Sequence, residues 1–241
     1  MLSQRTTGVF VMRDYSSRGP SANYDIAIVK QRLSAERFAR YEAIAGGLAP
    51  AVELYEWNMR AAAEFHRLLH GVEVILRNAL HEQMSGWHHG LGLPGMWFDD
   101  PLGLLEAKAH DDIAVARRRI VQQGRVVAPG RLVSELTFGF WRYLLAGRYE
   151  TQLWTPALRH AFPHLATRRR ADVARPVERL HHLRNRIAHH EPIYPRRLDL
   201  DERDALAVVA AICGESRNWL EGIGSVAGVL DARPSNLGSP N

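Results

Sequence analysis

From Ala49 to Ser85 apolar side chains return at every third or fourth residue: Val52, Tyr55, Met59, Ala62, Phe65, Leu69, Val72, Ile75, Leu76, Ala79 and Leu80. Only Gly71 interrupts the run, and no proline lies between Val52 and Leu80. At 3.6 residues per turn this spacing gathers the apolar groups on one stripe. The stretch is therefore one long helix, or two in tandem with a bend at Gly71. A stripe that long must be covered by further helices, because nothing else in the chain alternates at period two for long enough to make a sheet. The expected fold class is an all-α helical bundle in a single domain.

Local signals place the other elements. Ser34 reads as a cap for a helix ending at Gly46-Gly47. The span Gly86 to Gly103, rich in Gly, Pro and Trp, reads as a loop plugged by Trp87, Trp97 and Phe98. Helices are expected over Leu104–Gln123, closed by Gly124, over Arg131–Ala146 in spite of Gly139, and briefly over Trp154–Phe162 before Pro163. Thr167 is the expected cap of a basic helix reaching His190, with Pro192 as its stop. Asp199 or Asp201 is the expected cap of a last helix, Glu202–Leu220. Residues 1–32, which include Gly19-Pro20-Ser21, read as a mostly irregular leader. The helical domain is expected over 33–221, and 222–241 as a flexible tail.

A hydrophobic fraction of 46% suffices for a core. The single cysteine, Cys213, excludes an internal disulfide and a cysteine-based zinc site, and fits a reducing compartment. No apolar run reaches the roughly 20 residues of a membrane span, and the N-terminus lacks the apolar core of a signal peptide. A cytoplasmic protein without membrane contact is expected.

The basic excess of 31 over 26 is small, but it is unevenly spread. Between Thr167 and Arg197 stand nine arginines (168, 169, 170, 175, 179, 184, 186, 196, 197) against Asp172, Glu178 and Glu191, a local charge of +6. Guanidinium forks match phosphate oxygens, so such a segment suits RNA; Arg168, Arg169, Arg170, Arg175, Arg179 and Arg186 are the candidate contacts. A solvated helix face is the plain alternative.

Inside that segment lies His181-His182-Leu183-Arg184-Asn185-Arg186-Ile187-Ala188-His189-His190-Glu191-Pro192. Such a cluster at a helix end can simply complement the helix dipole. A metal site is disfavoured, since the surrounding arginines repel a cation and Glu191 is the only carboxylate beside the histidines. The sharper reading is acid–base chemistry on a phosphodiester. Histidine can deprotonate a ribose 2′-hydroxyl or protonate a leaving 5′-oxygen, and arginine stabilises the charge on the phosphoryl oxygens. No metal or cofactor is required. At 100° per residue, however, Arg184 and His189 stand about 140° apart on the helix, so one copy supplies half a site. A homodimer with a composite cleft is the natural architecture.

Arg184-Asn185-x-x-x-His189 resembles the R-x4-H signature of the HEPN superfamily, all-α ribonucleases that act as dimers. Val133-Ser134-Glu135-Leu136-Thr137-Phe138-Gly139-Phe140-Trp141, followed by Tyr149-Glu150-x-x-Leu153-Trp154 and Ala161-Phe162-Pro163, resembles the conserved block of the Abi-like (abortive infection, AbiD/AbiF) family. Leu183 to Ile193 is similar to that family's C-terminal signature. Leu54-Tyr55-x-Trp57-Asn58 and Glu73-x-x-Leu76-Arg77-Asn78-Ala79-Leu80 also fit. The resemblance spans roughly Ser34 to Leu220 and implies a HEPN-like bundle with extra helices. It implies Arg184 and His189 as the catalytic pair, with Asn185 and His190 beside them and a polar cluster of Glu73, Arg77 and Asn78 facing the motif. An orienting ion pair from Glu73 to Arg184 is expected, with an intrahelical Glu73–Arg77 pair as the alternative. Gly139 is expected to permit close helix approach. The implied activity is a metal-independent endoribonuclease of phage defence or a toxin–antitoxin system, restrained by a small noncoding RNA or another antitoxin. Glu191 stands where some HEPN toxins carry a tyrosine that is adenylylated, which counts against that mode of control. A noncatalytic RNA-binding or regulatory module is the competing reading.

Overall fold

The structure is a computed structural model and describes residues 24–234. Among them every regular element is helical, so the all-α class holds. Contacts group the chain into two compact units, Met1–Val52 and Glu53–Asn241.

In the first unit, α1 (Ile26–Arg32) and α2 (Ala35–Ala45) are each capped as their sequences dictate. The Asp25 carboxylate accepts from Ala27 N at 2.8 Å, the Ser34 hydroxyl accepts from Arg37 N, and Gly46 ends α2 in the left-handed conformation. The expected irregular leader is thus helical over its last residues. The Asp25 cap and a Lys30–Glu42 ion pair of 2.8 Å between the two helices stabilise it. The rest of that leader lies outside the described residues.

α3 (Leu48–Gly90) runs unbroken for 43 residues and crosses from one unit into the next. Gly71 does not split it; a Cβ there would collide with Leu220, so the glycine is needed for close packing. The helix also continues past Gly86, which shortens the expected loop to the segment from Leu91 to Glu106. Within that segment Trp97 and Phe98 are buried, stacked at 3.9 Å between ring centroids.

α4 (Ala107–Gln122) ends at Gly124 as expected. The single helix expected over 131–146 is instead α5 (Pro129–Glu135) and α6 (Phe138–Leu144). Leu136 between them is extended, and the Thr137 carbonyl accepts from Phe140 N to begin the second helix. This break lets Leu136, Phe138, Phe140 and Trp141 all be buried, which one straight helix with its single stripe does not achieve. Short 3₁₀ and π turns follow between Gly147 and Ala161.

α7 (Ala171–Ala188) carries the basic motif. Thr167 does not cap it directly; its hydroxyl donates to Asp172 in the first turn. α8 (Leu198–Ile212) and α9 (Gly214–Gly222) replace the expected last helix, because Cys213 is extended at φ −158°. Neither Asp199 nor Asp201 caps: Asp201 is buried and takes both guanidinium nitrogens of Arg196 at 2.6 and 2.8 Å. The tail expected from 222 is also corrected. α10 (Val226–Asp231) buries Val226 and Val229, and the Trp57 indole donates to Val229 O at 2.7 Å.

Candidate functional site at the end of α7

Val173, Val177, Leu180, Leu183 and Ile187 recur at three and four along α7 and are buried, which turns the residues between them outward. The helix ends in a Schellman motif: Glu191 N donates to Arg186 O at 2.8 Å and His190 N to Ile187 O at 3.0 Å. His190 therefore takes the left-handed position, φ +54°, that glycine usually fills. The helix stops here, ahead of Pro192. Beyond it, Asn58 of α3 is buried and its amide oxygen accepts from Ile193 N at 2.8 Å and Tyr194 N at 3.1 Å. The Arg186 guanidinium closes the same turn by donating twice to Pro192 O. His189 sits on a terminus held from both sides.

One turn and more back, His181 packs between α6 and α7. The Phe138 and His181 rings meet edge to face with centroids 5.8 Å apart, and a Cβ on Gly139 would stand 3.3 Å from the His181 Nε2, so Gly139 does permit the close approach expected of it. The Asn185 amide lies 3.4 Å from Nε2, and Nδ1 is buried without a partner. Burial pushes the His181 pKa below its ordinary value, and the charges of Arg142, His182 and Arg184 add to the push while Glu178 opposes it. His181 is accordingly a neutral ring at pH 7. Arg142 is itself paired with Glu178.

The predicted catalytic pair stands free. Arg184 is half-buried and makes no ion pair or side-chain hydrogen bond among the described residues, and the exposed His189 uses only its backbone, N to Asn185 O at 3.0 Å. No hydrogen bond joins the two. His190 is exposed as well.

The expected Glu73–Arg184 ion pair does not form, nor does the Glu73–Arg77 alternative; among the described residues Glu73 has no ion pair. Asn58 is the α3 residue that reaches the turn after the motif, and the fifteen helical residues from there to Glu73 span about 22 Å. Arg77 keeps a buried, unpartnered Nε, and Asn78 is exposed. The helix rise thus leaves these three residues away from the motif's terminus.

The basic face is also smaller than the sequence count. Arg170 is committed to Glu150 and to Leu145 O, Arg179 to Asp204, and Arg186 to Glu191 and Pro192 O. These three guanidinium groups are engaged within the chain. Arg168, Arg169 and Arg175 remain exposed without an ion pair among the described residues. Arg196 and Arg197 pair with Asp201 and Asp199.

Sequence reasoning missed the role of Asn58, although it falls on the buried stripe, four residues after Leu54 and three before Ala61, where a polar side chain needs a partner. Among the described residues no three of His, Cys, Asp and Glu are grouped as metal ligands, and no helix is long and apolar enough to cross a membrane. Fold and site together define an all-α protein with an arginine–histidine cluster at a fixed helix terminus. No protein-family model, curated protein or solved structure matches the chain.

Proposed function

We propose that this chain is a metal-independent endoribonuclease of the Abi-like, HEPN type, acting in the cytoplasm in phage defence or as a toxin. The resemblance of its motifs supports this reading, and one observation carries it. Arg179 and Arg186 on α7 are tied into ion pairs, while Arg184 and His189 have no side-chain partner among the described residues. A half-buried cation such as Arg184 left unpaired is costly, and substrate phosphate is a partner that relieves it, while the exposed His189 is open to solvent and substrate.

In the proposed reaction His189 takes the proton from a ribose 2′-hydroxyl, the 2′-oxygen attacks phosphorus, and the bond to the 5′-oxygen breaks. The leaving oxygen takes a proton, and the products are a 2′,3′-cyclic phosphate and a 5′-hydroxyl. Arg184 stabilises the charge on the nonbridging oxygens. Asn185 holds the helix end through its carbonyl and His181 through its amide. One chain has one such pair, so a second copy supplies the other proton-transfer group across a twofold axis. A small noncoding RNA or other antitoxin is the proposed restraint.

Purified protein is incubated with end-labelled RNA in EDTA. Wild type is expected to cleave and to leave cyclic phosphate ends, and His189→Ala and Arg184→Ala to lose at least 10²-fold in rate. Undiminished cleavage by His189→Ala overturns the assignment. RNA binding without any product, unchanged in His189→Ala, points instead to a noncatalytic RNA-binding module.

A further inference from the structure

A second group of open positive charge among the described residues lies elsewhere, on the hairpin of α4 and α5. From Ala114 to Ser134 the sequence holds five arginines and no acid. Arg117 is taken by Asp99. Arg118, Arg119, Arg125 and Arg131 are all exposed, and none of them has an ion pair among the described residues. Of the acids that flank the hairpin, Asp112 is paired with Lys108 at 3.1 Å, and Glu135 accepts from the neutral Gln123 amide at 3.5 Å and makes no ion pair with these arginines. Asp111, exposed on α4, is seven residues back from Arg118, about 10 Å along the helix.

These four cations sit on an ordered scaffold. α4 closes in a Schellman motif, with Gly124 at φ +69°, Gly124 N donating to Val121 O at 2.9 Å and Arg125 N to Ile120 O at 3.1 Å. Arg131 reaches back to Val126 O at 3.0 Å, which ties α5 to the turn. Arg118 points away from the buried stripe of Ala109, Ile113, Ala116 and Ile120. The negative end of the α4 dipole amounts to about half a charge and falls off within the last turn, so it does not account for four guanidinium groups.

We propose that this hairpin is a second contact for RNA, gripping the phosphate backbone of the strand that the α7 terminus acts on; the substrate class rests on the reading above. The chemistry selects that occupant. Between Ala107 and Glu135 there is no Phe, Tyr or Trp, and the one imidazole, His110, is turned to Asp100 at 3.1 Å, so the surface offers neither a stacking platform for bases nor a wedge for a bilayer. Its exposed large apolar side chains are Val121 and Val126 alone. What remains are guanidinium forks, which bind phosphate without regard to sequence and release counterions as they do so. α5 leads directly into α6, whose Phe138 and Gly139 contact His181.

Anisotropy of a labelled oligouridylate, in EDTA and over a series of KCl concentrations, tests this on the full chain. The variant Arg118→Ser/Arg119→Ser/Arg125→Ser is compared with Arg40→Ser/Arg60→Ser/Arg203→Ser, which removes the same charge from exposed positions elsewhere. The hairpin variant is expected to bind at least tenfold more weakly at 0.1 M KCl, with the slope of log K against log [KCl] reduced by about 2, as three lost contacts to a single strand require. The control variant is expected to change by less than threefold. Equal loss in both variants, an unchanged slope in the hairpin variant, or binding to phosphatidylserine vesicles in place of RNA overturns the proposal. Wild type that binds RNA with this pattern but never cleaves it refutes the nuclease reading and leaves the hairpin contact standing.

Discussion

Asn58 accepts two backbone hydrogen bonds at a buried position, and both come from the turn that follows the Arg–His motif. Asn58→Ala leaves the Ile193 and Tyr194 N–H groups without an acceptor, and a loss of about 1–3 kcal/mol is expected, read as a lower urea midpoint at unchanged slope. A midpoint equal to wild type contradicts that role. The burial of Asn58 was legible from its place on the apolar stripe. Its partner was not, because Ile193 stands 135 residues away in the chain. The same holds for Glu73. Its spacing from Arg77 and its setting among apolar residues suggested a pairing, but the rise of an unbroken α3 decides which α3 residue meets the motif.

Helix ends divide into those written locally and those imposed by packing. Ser34, Gly46 and Gly124 act within a turn of their own positions, so their caps were readable. At Leu136 apolar residues continue on both sides of the break, and extended backbone there serves the burial of side chains on two separate helices, whereas the break at Cys213 stands beside Gly214, a local stop signal. α7 differs from α4 in one respect: the left-handed residue of its Schellman motif is His190 rather than glycine. A side chain in that conformation costs about 1–2 kcal/mol. His190→Gly is therefore expected to raise stability by up to about 1 kcal/mol in urea unfolding while lowering cleavage if the ring assists His189. A destabilised His190→Gly protein overturns the strain argument.

At the scale of the whole molecule, charge is redistributed by folding. Of the nine arginines counted between Thr167 and Arg197, five pair, and four of the acids they use lie outside that segment: Glu150, Asp199, Asp201 and Asp204. The α4–α5 hairpin keeps Arg118, Arg119, Arg125 and Arg131 without ion pairs among the described residues, because its own stretch of chain holds no acid. Dimerisation belongs to this scale too. Light scattering at micromolar concentration is expected to give twice the 27.2 kDa of one chain; an active species at the single-chain mass contradicts the composite site. The sequence by itself determined the all-α class, the long central helix and the concentration of Arg and His ahead of Pro192, because periodicity, caps and composition act over a few residues. Only the tertiary structure decided which arginines are free, where helices break and which residue anchors the motif's terminus, because ion pairs and buried hydrogen bonds join residues that the chain keeps far apart.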